Sequence, residues 1–288
     1  MDAYALFLSM PHQPFDAALF ALLGLMIGSF INVVIYRLPV MMQAQWEDEC
    51  AGLQGTTPEE KPRFNLMVPR SRCPVCQHHL SWYENIPVAS YVMQAGQCRH
   101  CQAAISIRYP IIEIASAALF AFCAWRWGVS GTALLWSGFS GALLTLAMID
   151  WDTTLLPDDI TLPLLWVGLI AAVSGLTPVS TSDAVWGAVA GYGSLWGIYW
   201  AFKLVTHKEG MGFGDFKLFA ALGAWFGWQA LIPIILMASV IGALVGIVMK
   251  FSSGLREGAY LPFGPFLAGA GLTAMVVGPQ AMMQTIGL

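Results

Sequence analysis

The chain has 288 residues, 57% of them hydrophobic and only 10% charged, with a formal net charge of −4. An ordinary soluble domain carries about 25% charged and about 45–50% apolar residues, so this balance excludes disorder, collagen, coiled coil and a basic nucleic-acid binder. With a mean hydropathy of +0.66 and uncharged runs too long for helices with polar faces, the sequence reads as an all-α polytopic membrane protein.

The first uncharged run, 17–36, matches the roughly 20 residues needed to cross about 30 Å of hydrocarbon. Asp2 and Asp16 precede it where a cleaved signal peptide would carry basic residues, and no small-x-small cleavage site follows, so it reads as a retained helix. Gly24 and Gly28 make a small-xxx-small face, and Ser29 and Asn32 offer hydrogen bonds. Helix packing is the simplest account, with contact to a helix outside this chain as the alternative. Arg37 is expected to anchor the cytoplasmic end of this helix.

A long loop, 37–108, follows. Its stretch 43–62, with Glu47, Asp48, Glu49, Glu59 and Glu60, reads as a solvated loop. Further on stand Cys73-Pro74-Val75-Cys76 and then Cys98-Arg99-His100-Cys101. Their separation, 77–97, is just beyond the usual range of about 15–20 residues, which one longer loop accommodates. Two CxxC knuckles together complete a tetrahedral zinc site, here one structural Zn2+ per chain. Four thiolates leave no open coordination position for catalysis, so the ion would hold a core-poor subdomain together. A redox or regulatory pair is the alternative. His78, His79 and His100 read as surface residues, and Cys50 and Cys123 have no partner at ligand spacing.

Later uncharged runs continue the membrane pattern: 109–125 (with Glu113 near its start), 127–149, 160–182 and 184–202. The run 218–249 is too long for one straight span and must bend; Gly227, Trp228, Gln229 and Pro233 predict a turn between two helices, the first one short. A last span in 258–288 is entered through Leu261-Pro262-Phe263-Gly264-Pro265. That gives about eight transmembrane helices and three segments: a first helix (1–36), a zinc-binding loop domain (37–108) and a multi-helix membrane domain (109–288). With the N-terminus outside, Arg126 is the only one of the 13 basic residues left on that side, the asymmetry expected of cytoplasmic Lys and Arg.

Ionisable groups at membrane boundaries are costly, and each is a functional candidate. One cluster is Ile149-Asp150-Trp151-Asp152 with Leu156-Pro157-Asp158-Asp159; the other is Gly210-Met211-Gly212-Phe213-Gly214-Asp215-Phe216-Lys217. Under this topology Asp150 and Asp215 share the cytoplasmic face. Brought together, they would share a proton, one activating water and the other polarising a carbonyl. Gly212 and Gly214 allow φ > 0 and a close approach by substrate. Asp158 and Asp159 read as N-cap and helix-dipole partners. Spacing alone leaves open a transporter's ion site at Asp150 and Asp215, and Asp152 in place of Asp150.

Taken in order, these motifs resemble one family. They are Gly28-Ser29-Phe30-Ile31-Asn32 running into Arg37-Leu38-Pro39, the CxxC pairs around Glu84-Asn85-Ile86-Pro87, Arg108-Tyr109-Pro110-Ile111-Ile112-Glu113, the two aspartate clusters, and Pro262-Phe263-Gly264-Pro265. The chain resembles the type IV prepilin peptidases, bifunctional leader peptidases and N-methyltransferases of bacterial inner membranes. GxGD alone also resembles the presenilin and signal-peptide-peptidase class. The resemblance implies an aspartic protease whose catalytic residues map onto Asp150 and Asp215. Its partners would be the lipid bilayer, prepilins and type II secretion pseudopilins, cut after a glycine between a basic leader and an apolar helix, with no nucleic acid. The new N-terminal amine is then methylated from S-adenosylmethionine. No GxGxxG-type site is readable, and the resemblance points to the loop, with Gly96 and Glu113 as cofactor-binding candidates. Glu84 or Glu113 is a candidate acceptor of the amine's proton, against bland roles as a surface residue and a helix N-terminal charge.

Overall fold

The computed structural model describes residues 14–55, 62–208, 210–251 and 261–285. Asp2, Glu59, Glu60, Lys61, Glu209 and Arg256 of the charge map lie outside the described residues. The chain divides into two compact units, one running to Gly141 and the other from Ala142.

In the first unit, α1 (Pro14–Leu53) packs along α3 (Arg108–Trp127). A Cβ built on Gly24 would lie 2.7 Å from Ala117 Cα, and one on Gly28 would lie 2.7 Å from Glu113 Cα. Both glycines therefore serve close helix packing. Asn32 Nδ2 adds donations to the carbonyls of Gly28 (3.3 Å) and Tyr109 (3.2 Å).

Two expectations are corrected in α1. The helix does not end near Tyr36 but continues through Pro39 for 40 residues. Proline costs one backbone hydrogen bond, and the good helix formers beyond it carry on, with Gln43 and Gln45 donating to Glu47 (3.4 Å) and Glu49 (3.0 Å) one turn ahead. The polarity of 43–53 thus reports exposure rather than a loop. Nor does Arg37 anchor a helix end. Only 8% exposed, it donates from Nη1 to Asn65 O (2.8 Å) and from Nη2 to Pro69 O (2.7 Å), with Phe64 under its guanidinium. It clamps the returning chain to the helix. Between α1 and α3 lie the short helix α2 (Ala89–Met93) and the cysteine segments.

α4 (Gly131–Thr153) enters the second unit, which holds α5 (Asp158–Val173), α6 (Thr181–Thr206), α7 (Phe213–Phe226), α8 (Leu231–Phe251), α9 (Gly264–Val277) and α10 (Pro279–Thr285). From Asp215 to Phe226 every residue of α7 except Lys217 is buried. α6 crosses it so closely that a Cβ on Gly223 would strike the backbone of Gly187, while one on Gly191 would lie 2.6 Å from Phe219 O. On the α5 side, Trp225 Nε1 donates to Leu164 O at 2.8 Å and its ring fills the space beside Gly168. The long run breaks where expected, at Gly227 (φ +81) and a 3-10 turn, Trp228–Ala230.

Among the described residues, four helices (α1, α3, α4 and α8 with its preceding turn) are long and apolar enough to cross a membrane, and a fifth if α9 and α10 count as one span. The expected single closing span is instead this pair, bent by 104° at Gly278. α5 stops at Val173, before a left-handed Gly175, and so is shorter than the 160–182 run. In α6, glycines and aromatics dilute the hydropathy.

A Gly223→Val substitution is expected to overpack the α6–α7 crossing and cost about 1–3 kcal/mol or more, because the obstacle is backbone. Thermal unfolding of the detergent-solubilised chain should show the loss.

Candidate active site and metal centre

Asp150 lies in the last turn of α4, which closes as Thr154 (φ +56) donates its N–H to Asp150 O at 2.8 Å. Asp215 lies in the first turn of α7. Both carboxyl groups are buried, only 4% and 7% exposed respectively, and both neighbour the segment around Leu156. A third segment reaches them: the N–H of Gly264, first residue of α9, donates to Asp150 Oδ2 at 2.9 Å in a buried hydrogen bond. Leu156 wedges between the segments. A Cβ on Gly214 would lie 2.6 Å from Leu156 Cβ, and one on Gly264 would lie 2.6 Å from Asp150 Oδ2 and 3.2 Å from Leu156 Cδ1.

These contacts correct one expectation about the glycines. Neither Gly212 (φ −81) nor Gly214, inside α7, has a positive φ; Gly214 is needed for the approach of Leu156. Asp152 is exposed while Asp150 is buried. Asp158 and Asp159 do lie in the first turn of α5, but its N-cap is Pro157. Asp158 instead receives Lys217 Nζ at 2.6 and 2.7 Å, tying α5 to α7. The proline-flanked sequence around Gly264 marks a helix entry, but a backbone donor leaves no side-chain signature.

In the first unit the Sγ atoms of Cys73, Cys76, Cys98 and Cys101 all lie within 4.8 Å of one another, with Cys73 and Cys101 at 3.8 Å. A tetrahedron with metal–sulfur bonds of about 2.3 Å has edges of about 3.8 Å, so the set fits a soft metal ion such as zinc. A repeat is revealed that the residue pattern concealed. Cys73 N–H donates to His78 O (2.9 Å) and Gln77 N–H to Cys73 O (3.0 Å); in the second knuckle, Cys98 N–H donates to Ala103 O (2.8 Å) and Gln102 N–H to Cys98 O (2.9 Å). Gln77 and Gln102 both have φ +60. The main-chain N–H of Cys76, then that of Val75, draws the Cys73 thiol down to about 6. The N–H of His78 also lowers Cys76, but burial and the neighbouring thiols outweigh it and push Cys76 up to about 11. Thiols this close resist simultaneous ionisation unless a cation joins them.

Glu84 is not a solvated surface residue. It is 8% exposed, and its Oε2 accepts the Ser81 N–H at 2.9 Å, closing a reciprocal capping box on the turn Trp82–Asn85. That N–H chiefly, helped by His78 and Arg99 against the effect of burial, holds its carboxyl below the usual range. His78 Nε2 lies 3.7 Å from Glu84 Oε2 and its ring packs against His100 at 4.8 Å, so these two histidines form a cluster.

Nor is Glu113 a helix N-terminal charge. It is buried within α3 and accepts the N–H of Val88 at 2.7 Å, pinning a β-branched residue held at φ +59. Gly96 (φ +69) packs against Tyr91, whose hydroxyl would lie 2.9 Å from an added Cβ.

Residues 22–127 match the family model described as Bacterial Peptidase A24 N-terminal domain, and 137–247 match that of the Type IV leader peptidase family. Three similar proteins are each called prepilin leader peptidase/N-methyltransferase. The one from Pseudomonas putida is 48% identical over 268 residues, covering 92% of this chain and 93% of its own. That of Pseudomonas aeruginosa is 49% identical, covering 90% of this chain and 89% of its own. That of Burkholderia pseudomallei is 50% identical, covering 89% and 84%. No solved structure matches.

Replacing Glu84 by alanine is expected to cost about 1 kcal/mol through the lost cap, read as faster limited proteolysis of the loop in the full chain. Because the folded pKa of Glu84 is lowered, its contribution is complete above the unfolded value of about 4.3 and fades as pH falls through the folded one.

Proposed function

We propose that Asp150 and Asp215 are the catalytic dyad of this chain, which belongs to the type IV leader peptidase family and cleaves and N-methylates prepilins. The carrying observation is the pair of buried carboxyl groups, 4% and 7% exposed, in the last turn of α4 and the first turn of α7, with Leu156 packed beside the residues next to each. Two such carboxyls do work that one cannot. An ionised one takes a proton from water as the oxygen attacks the scissile carbonyl, while a protonated one donates to the carbonyl oxygen. Collapse of the tetrahedral intermediate breaks the C–N bond, and the leaving amine takes up the proton.

Type II pseudopilins, which share the basic leader and apolar helix, are proposed as further substrates. A basic leader remains in the cytoplasm, so we place the dyad at the cytoplasmic edge of a bacterial inner membrane, with the loop inside and the N-terminus periplasmic. The proposed eight spans are α1, α3, α4, α5, α6, α7, α8 and the bent α9–α10 pair. The short α7 is tolerated in this reading because protein surrounds it. The three functional segments are 1–36, 37–108 and 109–288.

We assign Cys73, Cys76, Cys98 and Cys101 to one structural zinc ion. S-adenosylmethionine supplies an electrophilic methyl group, and the chain's task is to orient the new amine and accept its proton. We place this site at the loop segment 37–108 with Gly96 and Glu113 as contributors. Gly96 supports this through position, since its carbonyl receives the Ile105 N–H at 2.7 Å beside the second knuckle. Glu84, committed to its cap, is the weaker proton acceptor.

Purified Asp150→Asn and Asp215→Asn enzymes should lose prepilin cleavage by about 100-fold or more, with Asp152→Asn near wild type, as read by product mass. Both should still add one methyl group to a pre-cleaved pilin peptide. Cleavage surviving in Asp150→Asn would remove it from the dyad. Metal analysis should find one zinc per chain, lost in a Cys73→Ser/Cys98→Ser double variant, which should impair methyl transfer more than cleavage.

A further inference from the structure

The two carboxyl groups of the proposed dyad, on which this inference rests, have unequal surroundings. Asp150 Oδ2 has a fixed main-chain donor, the Gly264 N–H at 2.9 Å. The main chain of Gly212 also donates to the Asp215 carboxyl, on its Oδ2 side, so what sets Asp215 apart is its Oδ1, which is buried and meets no hydrogen-bond partner among the described residues. Lys217, two residues further along α7, does not select between them, because its ammonium is engaged by both oxygens of Asp158. No titratable residue lies on α9 or in 155–157.

A hydrogen bond to a carboxylate stabilises its charged form and is stronger than one to a neutral acid. An unpartnered buried carboxyl oxygen is costly as an anion, but as an O–H it needs only one acceptor. From this asymmetry we infer that Gly264 is a positioning residue of the dyad. Its N–H commits Asp150 to the ionised, water-activating role and leaves Asp215 to carry the proton that the scissile carbonyl accepts.

The local chain is suited to that task. Position 264 must lack a side chain for reasons of space rather than conformation, since a Cβ there would lie 2.6 Å from Asp150 Oδ2. Pro262 and Pro265 stiffen the segment on either side and offer no competing N–H. Leu156, packed against both Gly214 and Gly264, holds the third segment in register with the two aspartates.

Two measurements on the full-length enzyme in detergent test this. In Gly264→Ala, kcat for prepilin cleavage should fall roughly tenfold or more, the scale of one lost charge-assisted bond. KM should stay within about twofold, and methyl transfer to a pre-cleaved peptide should be unchanged. Wild-type cleavage by Gly264→Ala, with Asp150→Asn inactive, would overturn the positioning role and leave the dyad intact.

The roles are read separately by treating wild-type enzyme with a small epoxide. The ionised carboxylate oxygen opens the ring, forming an ester C–O bond as the epoxide C–O bond breaks. The resulting alkoxide takes its proton from the partner carboxylic acid. Peptide mass mapping should place the label on Asp150; a label on Asp215 would overturn the assignment. This arm needs no substitution, so it decides the roles even where Gly264→Ala folds poorly.

Discussion

The second unit depends on one backbone contact. A fourteen-residue helix with almost every side chain buried can exist only if its neighbours come close on all sides, and at Gly187 and Gly223 they come within backbone reach. Dispersion and close packing replace the side chains missing there. Trp225, seated beside Gly168 and donating to Leu164, secures the opposite flank. With α7 held this way, Asp215 at its first turn is carried into the protein rather than presented to solvent, where a lone carboxylate would be of little catalytic use.

The first unit meets a different constraint, since its loop offers few apolar side chains for a core. Three of its charged residues turn inward and bond to main chain instead. Arg37 takes the carbonyls of Asn65 and Pro69, Glu84 takes the N–H of Ser81, and Glu113 takes that of Val88. Each satisfies an amide group that would otherwise be costly to bury. The two cysteine knuckles, alike in hydrogen bonding though unlike between their cysteines, bring four sulfurs to one point. A metal at that point would stabilise only the folded arrangement, so its binding energy would become folding energy.

Peptide scission and methyl transfer therefore sit on structurally different foundations in the proposed reading. Hydrolysis needs carboxyl groups held in low dielectric, which a helix bundle provides. Methyl transfer needs an amine and a donor held in line, which a metal-stiffened loop provides. A chain that performs both in succession on one N-terminus gains from carrying both devices.

Features that depend on local chemistry and length were legible in the residues alone. Charge-free runs long enough to cross a bilayer announced membrane helices. Paired CxxC spacing announced four sulfurs that do converge, and Gly227 marked a break that the backbone makes. Whether 43–53 was helix or loop was not legible, because polarity reports contact with water, and an exposed helix and an exposed loop satisfy it equally. The same ambiguity hid the inward turns of Arg37, Glu84 and Glu113. Only the tertiary structure decided which aspartate is buried, since Asp150 and Asp152 differ by about 200° around the helix rather than in local composition. It alone brought Gly264 to Asp150 across 114 positions. A backbone N–H is common to every residue but proline, so its meaning comes entirely from where the fold carries it.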